Sequence, residues 1–177
     1  MTGLGVVGDP RLLLIYTYWR SKKKNLAMPA ASDIVFAELP AAAQSNAMLL
    51  ELVGEGQKPR FRYTRVGAVF WRTSGKEPVG QFVDEALPET AGYRDYVIGI
   101  YEEMARARRP MYSENRFVLR HGQSDPMATK RVSLPLSPDG VAVSAVLAAH
   151  VFDYGASGPD AFALVTAIEE VQRAFLE

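Results

Sequence analysis

Cysteine is absent from this chain of 177 residues. That excludes disulfides, thiolate metal sites, a thiol nucleophile and a flavin held through a cysteinyl adduct. Histidine is scarce: His121 lies in a polar turn beside Gly122, and His150 lies within an apolar strand-like run. Neither sits in an arrangement with a nucleophile that acyl transfer would need. Net charge is zero, so no global field draws the chain to nucleic acid or anionic lipid. No apolar run reaches membrane-spanning length, and residues 1–10 carry no basic stretch followed by an apolar one. The expectation is a soluble cytoplasmic protein that neither binds nucleic acid nor inserts into a membrane.

What is present suits one globular domain. Hydrophobic residues make up 48% and charged residues 23% of the chain, enough to bury a core without staples. Asp9-Pro10 is a helix start, because aspartate accepts from free amides and proline has none to satisfy. A helix over 10–23 follows, with Leu12, Ile15, Tyr16 and Trp19 on one face. That face packs on the chain's own sheet or on a partner, and spacing does not choose. The basic run Arg20 to Lys24 then serves the helix end rather than a polyanion. Gly3, Gly5 and Gly8 follow no strand, so they read as a disordered N-terminus rather than a nucleotide loop.

Residues 25–40 read as a connector with a short helical turn near 33–39. Runs at 48–53 and 59–66 are strand-like and joined by the turn 54–58, a first hairpin. Phe61 and Tyr63 alternate with Arg60 and Arg62, which places Arg65 on the aromatic side. A short helix over 68–73 carries Phe70 and Trp71, and Gly80 marks a loop. The longest internal helix spans 90–108, with Tyr93, Val97 and Met104 on one stripe, and ends before Pro110. Strands follow at 111–119, 129–136 and 141–153, the last two as a hairpin. A final helix over 159–176 places Phe162, Val165, Ile168, Val171 and Phe175 along one apolar face. The fold class is therefore α+β: a five-stranded antiparallel sheet with helices on one face, flanked by terminal helices. The divisions are 1–24, a core over 25–155, and 156–177.

The segments Leu14-Ile15-Tyr16-Thr17-Tyr18-Trp19-Arg20-Ser21, Phe61-Arg62-Tyr63 with Val66-Gly67, and Gly80-Gln81-Phe82-Val83-Asp84-Glu85 carry a resemblance. So do Arg109-Pro110-Met111-Tyr112 and Leu134-Pro135-Leu136-Ser137. In this order they resemble a family of short, stand-alone bacterial PAS-like proteins. The sequence departs from that family at Arg65, where an apolar residue is commoner, and at Ala68, where threonine is. The resemblance implies a PAS fold with a small cavity between sheet and helices, and a sensing or docking role with no catalysis. It carries over no ligand-binding residues. Haem-binding PAS domains generally use a histidine on the long internal helix, and residues 90–108 contain none, which argues against haem.

Candidate site residues follow from chemistry. The aromatics Phe61, Tyr63, Phe70, Trp71, Phe82, Tyr93, Tyr96 and Tyr101 would line the pocket, with Arg65 and His150 supplying polar orientation. The carboxylate pairs Asp84-Glu85, Glu102-Glu103 and Glu169-Glu170 read as solvated faces rather than acid–base pairs. No catalytic or metal-ligating residue is expected. The expected function is a sensor that binds a small molecule or a signalling protein and delivers its output in trans. Leu12, Ile15, Tyr16 and Trp19 would form the homodimer or partner contact. Two other classes compete: an adaptor with a filled core, and an enzyme whose cavity chemistry would fall to His150 and Arg65.

Overall fold

The computed structural model describes residues 3–54, 58–70, 77–120, 127–154 and 159–177. Asp9 accepts from the Arg11 backbone N–H at 2.9 Å, and Pro10 opens helix α1 (Pro10–Lys22). The basic residues at its end are engaged locally: Lys22 pairs with Glu38, and Lys24 with Asp33 at 2.9 Å. Residues 3–9 are not loose as expected. Gly3–Val6 form a 3-10 turn, and Val7 is buried in the core, which gives this stretch an apolar anchor.

The connector holds 3-10 turns at Ala31–Asp33 and Phe36–Glu38 and the short helix α2 (Ala41–Gln44). Strands β1 (Ala47–Val53) and β2 (Arg60–Val66) form the expected antiparallel pair. Residues 68–70 are helical, and the rest of the expected 68–73 helix lies outside the described residues. Helix α3 (Val83–Ala86) precedes α4 (Tyr93–Ala107), the long internal helix. Arg108, at φ 55°, closes α4 by donating its N–H to the Met104 carbonyl. Strands β3 (Met111–Leu119), β4 (Met127–Leu136) and β5 (Ala145–Asp153) follow. Among the described residues no helix is long and apolar enough to cross a membrane.

The class is α+β, and the sheet has six antiparallel strands in the order β2-β1-β5-β4-β3-β6. The sixth overturns the expected C-terminal helix. Residues Pro159–Leu164 form a 3-10 turn, and Val165–Phe175 form β6, paired antiparallel with β3. The pairing register shifts twice, between Glu114 and Asn115 and between Val118 and Leu119. Each bulge adds one residue to β6, so Val165, Ile168, Glu170, Arg173 and Phe175 oppose the inward residues of β3. Three-residue steps mixed into a period of two imitate a helical stripe, which is why the pattern misled. The exposed edge of β3 supplied the hydrogen-bonding partners that decided the matter.

Helices cover both sheet faces rather than one. On one face Leu12, Ile15, Tyr16 and Trp19 of α1 pack against Val132, Leu134, Leu136 and Leu147. All four α1 side chains are at most 1% exposed, so the contact left open by the sequence is made with the chain's own sheet. They are not surface that a second copy could reach. On the other face α4 packs on Met48, Leu50, Met111, Phe117, Val146 and Ala148.

Candidate functional site: a buried polar patch beneath helix α4

Strand β4 reads Thr129-Lys130-Arg131-Val132-Ser133-Leu134, an alternation that ordinarily turns its polar residues to water. Here both faces are covered. Val132 and Leu134 meet α1, and Thr129, Arg131 and Ser133, each 0% exposed, lie beneath α4. Arg131 stands opposite Ser113 on β3 and His150 on β5, and Thr129 stands opposite Asn115. The centre of the sheet therefore presents Ser113, Asn115, Thr129, Arg131, Ser133 and His150 to the helix, all buried.

Arg131 dominates this patch. Its Nη1 donates to Ser113 Oγ at 3.4 Å and to Asn115 Oδ1 at 3.1 Å, and its Nη2 to the Tyr93 hydroxyl at 3.3 Å. Its Nε is buried without a partner. The guanidinium lies 5.9 Å from the Tyr93 ring centre and 5.5 Å from that of Tyr96. Among the described residues no carboxylate pairs with it. Glu103 and Glu170 are both taken by Arg173 on β6. A full charge thus sits beneath α4 among neutral groups, an arrangement that costs several kcal/mol unless something compensates it.

His150 Nε2 lies 3.2 Å from the Tyr101 hydroxyl, and its Nδ1 has no partner. Burial, and then the Arg131 charge, hold its pKa well below 6.5, so the ring is neutral. Burial likewise pushes the Tyr63 and Tyr101 hydroxyls well above the ordinary phenol range. Tyr63, Tyr96, Asn115, Thr129 and Ser133 each also carry a buried polar side-chain atom that bonds to nothing. A cleft of about 380 Å³ opens between β2 and α4, lined by Lys58, Arg60, Phe61, Asp84, Ile98 and Glu102 among others. Phe61 joins it to the patch, its ring 5.3 Å from that of Tyr101. Arg60 pairs with Asp84 at 2.8 Å and Glu85 at 2.7 Å at the rim.

The structure brings Phe61, Tyr63, Phe70, Tyr93, Tyr96, Tyr101 and His150 to this one face. Arg65 is not among them. The β1–β2 register shifts between Leu49 and Leu50, the bulge turns Arg65 to the opposite face, and its guanidinium stacks 4.5 Å from the Phe36 ring centre. Phe82 is half-buried at the outer end of β2 beneath the Arg60 guanidinium, 3.6 Å away. Trp71 and His121 lie outside the described residues. Sequence reasoning missed Ser113, Asn115, Thr129, Arg131 and Ser133. Their one signal was the polar alternation of β3 and β4, which reads equally as a solvent face. No protein-family model, curated protein or solved structure matches this chain.

Proposed function

We propose that this protein is a non-enzymatic regulatory module of PAS type that binds a small molecule between its sheet and helix α4 and signals to another protein in trans. The observation that carries the reading is the set of unpartnered buried polar atoms: Tyr63 and Tyr96 hydroxyls, Asn115 Nδ2, Thr129 Oγ1, Arg131 Nε, Ser133 Oγ and His150 Nδ1. Each buried polar atom without a partner costs about 1–3 kcal/mol. Seven on one side of a sheet make sense as a surface that a ligand completes. An adaptor with a filled core would gain by placing apolar residues there.

The order of elements supports the PAS part. Two antiparallel strands, then helices α3 and α4, then the antiparallel strands β3, β4 and β5 follow α1, the order that the resemblance implies, with β6 as an addition to it. Binding rather than proton transfer suits the chemistry: the hydroxyls are held protonated, and His150 is held neutral with one nitrogen on Tyr101. A ligand beneath α4 would contact Tyr93 and Tyr96, so occupancy would bias how that helix packs.

Native mass spectrometry of the purified protein, with a thermal-shift screen of a metabolite library, tests this. A co-purifying small molecule, or saturable stabilisation by a library member lost on substitution of Tyr96 or Arg131, is the expected result. Bare-chain mass together with a flat screen would retire the sensor and leave the adaptor.

A further inference from the structure

We propose that Arg131 is the anchor of a site for a small monocarboxylate held between the sheet and helix α4. This rests on the small-molecule reading above and names its ligand class. A guanidinium has five N–H donors. Ser113 and Asn115 occupy both donors of Nη1, and Tyr93 takes one from Nη2. The Nε–H and one Nη2–H remain, the number that an anion with two oxygens accepts from a planar fork.

Charge balance narrows the anion further. His150 is neutral, and Glu103 and Glu170 both pair with Arg173 rather than with Arg131. The Arg131 charge therefore has no carboxylate partner among the described residues, in a place where unpaired charge is costly. A carboxylate cancels it. A phosphate dianion would leave a buried surplus, and a neutral amide would leave the guanidinium as it is. Beside the fork, the rings of Tyr93 and Tyr96 offer apolar surface to the body of the acid. Asn115 Nδ2 adds a further buried donor without a partner.

The test compares acetate, propionate, benzoate and phenylacetate with their amides and with inorganic phosphate at matched ionic strength, by thermal shift and calorimetry. The wild-type protein, Arg131→Met and Arg131→Lys are used. At about a hundredfold excess over Kd, a carboxylate is expected to raise the wild-type Tm by roughly 5 °C or more. Amides and phosphate should leave it unmoved. Arg131→Lys, which keeps the charge but loses the fork, should bind at least tenfold more weakly. Arg131→Met should lose the response whatever its unliganded Tm, which sums the relief of a buried charge against the Ser113, Asn115 and Tyr93 oxygens left without a donor. Equal shifts with carboxylate and amide, or undiminished affinity in Arg131→Lys, would overturn the inference. The Lys variant decides the matter if Arg131→Met does not fold. A neutral ligand that stabilises wild-type and Arg131→Met alike sinks the carboxylate and leaves the small-molecule reading standing. Silence from both this panel and the metabolite library removes both.

Discussion

The imidazole of His150 and the hydroxyl of Tyr101 meet at 3.2 Å beneath helix α4, with both residues buried. Burial and the Arg131 charge hold the folded-state pKa of His150 well below 6.5. The unfolded chain takes up a proton near 6.5 that the folded one refuses. Stability contributed by this residue is therefore fully present above that pH and lost as pH falls below it. Denaturation of wild-type protein from pH 8 to 5 should show a slope approaching one proton per molecule below pH 6.5, and His150→Gln should flatten it. An identical pH profile in the variant would mean that His150 reaches solvent.

Trp19 donates its indole N–H to the Pro135 carbonyl at 2.9 Å. Proline is tolerated inside β4 because the β3 pairing ends at Ser133, so no strand asks Pro135 for an N–H. The carbonyl on that side goes to the indole instead. Trp19→Phe should cost about 1–3 kcal/mol from the lost hydrogen bond alone, read from urea denaturation followed by circular dichroism. A loss below a few tenths would show that the carbonyl finds another donor.

Gly67 donates to the Ala47 carbonyl at 2.8 Å, and a Cβ placed on it would stand 2.5 Å from the Gln44 and Ser45 carbonyl oxygens. Both are backbone atoms that cannot rotate away. Gly67→Ala should destabilise by about 1–3 kcal/mol or more by pushing the end of β2 off the turn before β1. A near-neutral Tm would show that this turn yields.

Ile15 is 0% exposed against the chain's own sheet. Ile15→Ala should therefore cost about 2–5 kcal/mol, with a Tm that does not depend on protein concentration. Loss that grows on dilution would instead place this residue in a contact between copies, as expected from the sequence alone.

Local chemistry made much of the fold legible. Asp9-Pro10 started α1, Pro110 marked the boundary between α4 and β3, and the hairpins β1–β2 and β4–β5 followed from alternation and turn residues. The burial of Phe61, Tyr63, Phe70, Tyr93 and Tyr101 in the core was legible as well, because large rings at core spacing have few other places to go. Arg65 and β6 were not: a single bulged residue reverses the side on which everything beyond it lies, and bulges leave little mark in composition.

Arg131 shows the division most sharply. Its sequence neighbours determined that β4 is a strand and that Thr129, Arg131 and Ser133 share a face. Whether that face meets water or protein depended on a helix some thirty residues earlier in the chain folding over it. Periodicity sorts residues onto sides, and only packing assigns each side its dielectric; here the packing placed a guanidinium among neutral groups.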